Sequence, residues 1–300
     1  MKVSVVIPCY NVEAYLAECV ASIRALGETI PVILVDNNSI DGTAAVIEML
    51  AAQDSHVTML SEATPGAPAA RNTGLAAVAT EWVQFLDADD LLLPDAFERR
   101  WRAQAEIVVG GYRKRAVDGT ETKVAPHTDV WKGLFNTDLG ITSSILWRAE
   151  AVRKVSGWDA DLKSSQEYDL MFRCLQSGAR LQTIATPTAV VRERASGQIS
   201  QSDPAPRWHR YLTLRTAMLE HLKTHEQAYF ECESSGYYQQ LFDHIRTLSN
   251  SDPKGAVAWY KKSLPADFTP QPSPATGALF LCLMRIFGFA GATRIRRLLP

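Results

Sequence analysis

Apolar and polar positions in the first ninety residues alternate in a regular rhythm. Val3-Ser4-Val5-Val6-Ile7 is an apolar, β-branched run closed by Pro8, the pattern of a buried parallel strand. Asn11 stands where it can cap a following helix, in which Val12, Tyr15, Leu16, Cys19, Val20, Ile23 and Leu26 recur at helical spacing. Val32–Val35 predicts a second short strand, and Asp41-Gly42-Thr43 opens a second helix. Val57–Leu60 reads as a third strand, 68–79 as a small-residue helix, and Trp82–Leu86 as a fourth strand. This β-α-β-α order with short loops predicts an α/β fold, a mostly parallel, Rossmann-like sheet flanked by helices. In such sheets ligands bind beyond the carboxyl ends of the strands. The polar clusters after the second and fourth strands therefore matter most.

The pattern is less regular over 106–165. Ile107–Val109 and Gly111–Val117 read as strands, Asp118-Gly119 as a turn, and Ile141–Trp147 as another strand. Ser165–Gln176 predicts a helix with Leu170, Cys174 and Leu175 on one face. Residues 204–263 are mainly helical, punctuated by Pro204, Pro253 and Pro265, and form a helical C-terminal extension. The pattern divides the chain into a 1–200 α/β domain, a 201–264 helical region, a 265–274 Pro-rich linker and a 275–300 basic amphipathic tail.

Composition narrows the classes. With 300 residues, 46% apolar and 21% charged, the chain reads as a soluble globular protein. A net charge of −2 gives no basic field for nucleic acid. Five scattered cysteines without a CxxC spacing point to reduced thiols in a cytoplasmic compartment and away from a zinc site. The apolar run at the start is too short for a signal peptide and reads as a core strand.

Four clusters carry chemistry. Asp36, in Val35-Asp36-Asn37-Asn38-Ser39-Ile40-Asp41-Gly42-Thr43, sits just past a strand end, where its carboxylate can accept from the N–H of a base; Asp41 reads as a helix cap. Phe85-Leu86-Asp87-Ala88-Asp89-Asp90 crowds three carboxylates after an apolar strand. They repel one another unless a cation neutralises them, so the tetrad is either a site for Mn²⁺ or Mg²⁺ or an acidic surface turn. Arg71, in Gly66-Ala67-Pro68-Ala69-Ala70-Arg71-Asn72-Thr73-Gly74, either reaches a diphosphate or is paired within the fold. In Ser164-Ser165-Gln166-Glu167-Tyr168-Asp169-Leu170 a serine can cap the helix. The acids there either complement its macrodipole or include a general base.

Together these motifs resemble family 2 glycosyltransferases of the GT-A fold. Val5-Val6-Ile7-Pro8-Cys9-Tyr10-Asn11 is similar to that family's "VSVIIPxYN" opening, and Val35–Thr43 to its "VDDGSTDGT" segment. Ala70-Arg71-Asn72-Thr73-Gly74 matches "ARNxG" and Asp87-Ala88-Asp89-Asp90 matches "DADD". Further on, Gly157-Trp158-Asp159 resembles "GxFD" and Gln166-Glu167-Tyr168-Asp169-Leu170 resembles "EDYDL". The resemblance implies that Pro8, Tyr10 and Asp36 hold the base, with Asn38 and Ala88 also at the nucleotide sugar. It implies that Arg71 contacts the nucleotide, Asp87 lies near the ribose, and Asp89 binds the metal. Glu167 stands where the family has its catalytic aspartate, with Asp169 as the second choice of base.

The implied activity is inverting transfer of a sugar from a nucleotide sugar, a UDP-sugar, to a hydroxyl of a glycan or lipid-linked acceptor. The family's setting suggests bacterial surface polysaccharide or lipopolysaccharide biosynthesis. A QxxRW motif is absent, since Arg207-Trp208 lacks the preceding glutamine, which argues against processive synthases. A sugar nucleotidyltransferase would need a glycine-rich basic loop where Pro8-Cys9-Tyr10-Asn11 stands. A non-catalytic nucleotide-sugar-binding protein would not need an acid at 167 beside Arg71, Asp87 and Asp89.

No acid occurs from Ser273 to Pro300, where Leu279–Met284 and Ile286-Phe287 are apolar and Arg285, Arg294, Arg296 and Arg297 basic. This segment either lies on the inner face of the cytoplasmic membrane as a peripheral contact or packs as a helix with an arginine rim.

Overall fold

The computed structural model describes residues 2–98, 100–193 and 204–297. They fall in two compact units, Met1–Gln198 and Ile199–Pro300. The expected boundary at 200/201 and the final residues of the 275–300 segment lie outside the described residues.

In the first unit β1 (Val3–Cys9), α1 (Glu13–Arg24), β2 (Val32–Asp36), α2 (Thr43–Gln53), β3 (Val57–Ser61), α3 (Ala67–Ala77) and β4 (Trp82–Phe85) follow in turn. The strands lie in the order β3-β2-β1-β4, all parallel, as the apolar runs predict. Val3, Val5, Val6 and Ile7 have no solvent exposure, so β1 is covered on both faces.

Beyond β4 come β5 (Leu91–Leu92), β6 (Ile107–Arg115), β7 (Glu121–Val124), α4 (Val130–Asn136), a 3-10 turn (Thr142–Ser144), β8 (Ile145–Arg148), α5 (Ala149–Lys154), α6 (Gln166–Gln176) and β9 (Leu181–Arg192). The sheet continues β4-β8-β6-β9-β5, with β7 on β6. Here β4–β8, β8–β6, β6–β7 and β9–β5 are antiparallel and β6–β9 is parallel. The sheet is thus mixed, and the mostly parallel expectation holds for its first half. Parallel neighbours need a crossover; α1, α2 and α3 supply these up to β4, whereas β6 and β7 form a hairpin around Asp118-Gly119.

Three local readings change. The strands expected at 107–109 and 111–117 are one strand, β6, with register shifts at Gly110 and Gly111. The strand expected at 141–147 begins as the 3-10 turn, which lifts Ser143 out of the ladder. Asn11 does not cap α1: it has φ 52° and accepts from the Ile40 N–H at 2.9 Å. Instead the Val12 N–H donates to Thr43 Oγ1 at 2.8 Å and the Gly42 N–H to Glu13 Oε2 at 2.9 Å. The starts of α1 and α2 therefore satisfy each other's open amides, a long-range form of capping.

The second unit contains α7 (Pro204–His225), α8 (Gln227–Leu248), α9 (Pro253–Ser263) and α10 (Ala278–Arg296). Leu212, Met218 and Leu222 of α7 and Leu241, Phe242, Ile245 and Leu248 of α8 are buried. Within 265–274, Asp243 Oδ1 accepts from Ser273 Oγ at 2.7 Å, and Gln239 Oε1 accepts from the Gln271 N–H at 2.8 Å. The segment expected as a tail is α10, kinked at Gly288 (φ 69°). Its Phe289 stacks on Tyr260 of α9 with centroids 4.5 Å apart.

Candidate functional site

The carboxyl ends of β1 and β2 meet in register at Cys9 and Asp36. Pro8 is partly buried there and Tyr10, just past β1, is 58% exposed. Asp36 Oδ1 is buried without a hydrogen-bond partner. A buried acceptor left open at the ligand edge of the sheet is costly, and a ligand N–H would satisfy it. Asn37 and Asn38 splint the loop beside it. Asn37 Nδ2 donates to the Glu62 and Thr64 carbonyls at 2.8 Å each, and its Oδ1 accepts from the Gly66 N–H at 2.7 Å. An aspartate could not make those donations, which accounts for asparagine at 37. Asn38, at φ 64°, donates to the Ala63 carbonyl at 3.1 Å. Asp41 Oδ1 accepts from the Thr43 N–H at 3.0 Å at the start of α2.

Arg71, Asn72 and Gly74 of α3 each have their own task. A Cβ on Gly74 would stand 2.3 Å from Val6 Cγ1, so glycine lets α3 lie directly on β1. Asn72 clasps Trp158 through both backbone polar groups, accepting from its N–H and donating to its carbonyl at 2.8 Å each. Gly157 takes φ 74°, and a Cβ there would meet Asn72 Oδ1 at 2.4 Å. Trp158 then packs edge-on to Phe85 at 5.1 Å, with the Arg71 guanidinium 4.5 Å above its ring.

Arg71, only 4% exposed, joins two distant motifs. Its Nη2 donates to Asp87 Oδ1 at 2.8 Å and its Nη1 to Gln166 Oε1 at 2.9 Å. The acidic turn after β4 is thereby linked to the first residue of α6.

Within the tetrad the carboxylates have separate environments. Ala88 is buried. Asp90 is buried, and Ser143 Oγ donates to its Oδ2 at 2.6 Å while the Arg192 N–H donates to its Oδ1 at 3.2 Å. Burial, and then the charges of Asp87 and Asp89, push the Asp90 carboxyl well above the usual carboxylate range. The Asp90 N–H closes the turn on the Asp87 carbonyl at 2.9 Å, and the Asp87 N–H donates to Ser143 Oγ at 3.2 Å. The Arg192 guanidinium donates to the Asp89 carbonyl and pairs with Glu18. Ser143 and Arg192 therefore hold the tetrad; neither had a local sequence signal.

Ser165 occupies the start of α6 at φ 59°, but its side chain makes no capping bond. Glu167 is partly buried in the first turn. Burial raises its carboxyl above the ordinary glutamate value; Asp87 adds to this, while its own N–H and Arg71 oppose it. Glu167 thus feels both partners of the Arg71–Asp87 pair. Asp169 is held differently, by Arg173 Nε at 2.8 Å and Nη2 at 2.7 Å. The Tyr168 hydroxyl fixes the helix, accepting from the Leu139 and Gly140 N–H groups at 3.2 Å each and donating to the Gly140 carbonyl at 2.9 Å.

Among the described residues no three His, Cys, Asp or Glu side chains converge as a metal cage. One Asp87 oxygen accepts from Arg71 and both Asp90 oxygens accept within the turn, while Asp89 is the carboxylate that the family resemblance gives to the metal. A lone protein carboxylate fits Mg²⁺ or Mn²⁺, which take remaining ligands from water and diphosphate.

The open Asp36 oxygen at the sheet edge, the acidic turn after β4 and Glu167 at the start of α6 make up the candidate site. The sequence model described as "Glycosyl transferase family 2" matches residues 4–155, just over half of the chain, and the chain belongs to that family. It is 33% identical over 116 residues to glycosyltransferase GlyA of Streptococcus pneumoniae, covering 37% of this chain and 17% of that one. It is 32% identical over 132 residues to the uncharacterized glycosyltransferase EpsJ of Bacillus subtilis, covering 42% and 38%. The match thus spans well under half the length of these curated relatives. By fold the chain is similar to residues 1–349 of S. aureus TarS in complex with UDP-GlcNAc, with a TM-score of 0.63 and 14% identity over 99% of this chain and 92% of that one. The fold is therefore the mixed α/β sheet with flanking helices of the GT-A type.

Proposed function

We propose that the chain transfers a sugar from a UDP-sugar to a hydroxyl of a glycan or lipid-linked acceptor, with inversion at the anomeric carbon. The observation that carries this reading is the Arg71 bridge, which ties Asp87 of the acidic turn to Gln166 beside Glu167. The TarS structures containing UDP-GlcNAc and UDP support a uridine nucleotide donor.

In this mechanism Asp36, with Pro8 and Tyr10, receives the base, and Asn38 and Ala88 shape the nucleotide-sugar pocket. Asp87 lies at the ribose. A divalent ion held by Asp89 would supply charge neutralisation at the diphosphate. Arg71 adds fixed positive charge near the departing nucleoside diphosphate. The acceptor oxygen attacks the anomeric carbon, the bond from that carbon to the diphosphate oxygen breaks, and the acceptor proton passes to Glu167. Its raised proton affinity suits that task. Asp169 is the weaker choice of base because Arg173 occupies it.

We assign the activity to a cytoplasmic enzyme of bacterial surface polysaccharide biosynthesis. The exposed apolar positions Leu279, Ile286 and Phe287 of α10 support peripheral contact with the inner face of the membrane. A thermal-shift screen of nucleoside diphosphates and nucleotide sugars with Mn²⁺ and Mg²⁺ tests the donor assignment. UDP and UDP-sugars should stabilise the protein, more so with the metal, and Asp89→Asn should remove the metal increment. Stabilisation by another nucleotide alone would refute the UDP assignment.

A further inference from the structure

The helical unit carries a basic cleft that the transfer reaction does not use. It lies between the start of α9 and the end of α10, with a volume of about 580 Å³. Lys254, Arg294 and Arg297 line it together with Val257 and Ala290. All three cationic side chains are exposed at a site where they gather on one opening. Thr293, in the same wall, has a buried hydroxyl with no hydrogen-bond partner. Asp252, two residues before Lys254, is already engaged: its Oδ1 accepts from the Gly255 N–H and its Oδ2 meets His209 Nε2, both at 2.9 Å. From Ser273 to Pro300 the chain has no acid at all. Among the described residues that line it, the cleft thus carries three positive side chains and no acid.

The same helix displays an apolar stripe. Leu279, Ile286 and Phe287 are 61%, 66% and 55% exposed, and Cys282 and Ala290 are exposed between and beyond them. Such side chains are out of place in water and suited to the boundary of a bilayer. Alone, the stripe would fit any apolar partner. The adjoining cations select a surface that is apolar within and anionic at its rim, which is an anionic leaflet.

We propose that the α9–α10 cleft seats the phosphate of an anionic phospholipid while the α10 stripe enters the headgroup boundary. This rests on the membrane contact proposed above and names the lipid chemistry that the contact selects. Arg294, Arg297 and Lys254 surround the phosphodiester as charge-assisted donors. Ile286 and Phe287 supply an apolar anchor that is independent of lipid charge.

Flotation of the full chain with phosphatidylcholine vesicles, with and without phosphatidylglycerol, tests the proposal. Wild type should float with the anionic vesicles at least tenfold better than with the neutral ones, and added salt should erase the difference. A variant with Lys254→Ser, Arg294→Ser and Arg297→Ser should lose that preference and keep the weak neutral binding. Ile286→Ser with Phe287→Ser should lower binding to both. Arg285→Ser, an exposed arginine outside the cleft, serves as the charge control and should keep most of the preference. Circular dichroism of each variant shows that the helices persist. Wild type that floats with neither vesicle refutes the membrane contact itself. Wild type that floats while the triple variant keeps its preference refutes the cleft alone, as does an Arg285→Ser variant as impaired as the triple one.

Discussion

Arg71 Nη2 donates to Asp87 Oδ1 at 2.8 Å from a guanidinium almost wholly out of water. Its second terminal nitrogen spends itself on Gln166, so one side chain fixes the distance between the acidic turn and α6. Arg71→Ala should therefore weaken both the fold and the site. Stability to urea should drop by about 2 kcal/mol, since hydrogen bonds to charged groups are broken in a buried setting. UDP affinity should fall at least tenfold. Arg71→Lys keeps the charge but has no planar fork to span two partners, and it should recover less than half of the loss. An Arg71→Lys protein with wild-type UDP affinity would show that charge alone, and not the bridge, matters.

Gly74 sets how closely α3 approaches the sheet. In an open helix Gly→Ala gains about 1 kcal/mol. Here the new methyl would lie 2.3 Å from Val6 Cγ1, and overpacking of this kind costs about 1–3 kcal/mol. Gly74→Ala should thus lower the urea midpoint, and adding Val6→Ala should restore part of it. Additive losses in the double variant would contradict the steric cause.

The Tyr168 hydroxyl serves the Leu139 and Gly140 backbone and positions the helix that carries Glu167. Tyr168→Phe should cost about 1–3 kcal/mol, because it strands buried backbone groups. In kinetics it should lower kcat and leave UDP affinity nearly unchanged, since no donor contact is removed. A pure loss of UDP affinity would place Tyr168 in the wrong role.

The role proposed for Glu167 sets an expected pH profile. A base must be ionised, so turnover is lost as pH falls through its pKa. Burial and Asp87 raise that pKa, which places the acid limb of kcat/KM above the ordinary glutamate value of about 4.3. Asp87→Asn removes a negative neighbour and should shift the limb toward lower pH. A limb that stays in place in Asp87→Asn would mean another group is titrating.

Much of this was legible in the chain because it is local. The β-branched runs at 3–7 and 32–35 have one reading, a buried strand, and the structure places Val3, Val5 and Val32 with no exposure. The motif around Arg71 was legible as a unit, but not its partners, which lie 16 and 95 residues away. β9 escaped notice because its twelve residues alternate poorly, include Pro187 and pair with a bulged β6. Four prolines at 265–274 read as a linker; the contacts of that stretch with Asp243 and Gln239 on α8, through Ser273 and Gln271, are ones no local pattern announces. Ser143 and Arg192 escaped for the same reason: each acts on the tetrad from a distant segment.

The most direct test of the account is Glu167→Gln, a near-isosteric change that removes the proposed base. Hydrolysis of UDP-sugars with Mn²⁺ present, in which water replaces the acceptor, gives turnover, and calorimetry gives UDP affinity. The account predicts a turnover reduced at least about a hundredfold, the scale of general base catalysis, with UDP affinity within about threefold of wild type, a difference of under 1 kcal/mol. Wild-type turnover by Glu167→Gln would contradict it.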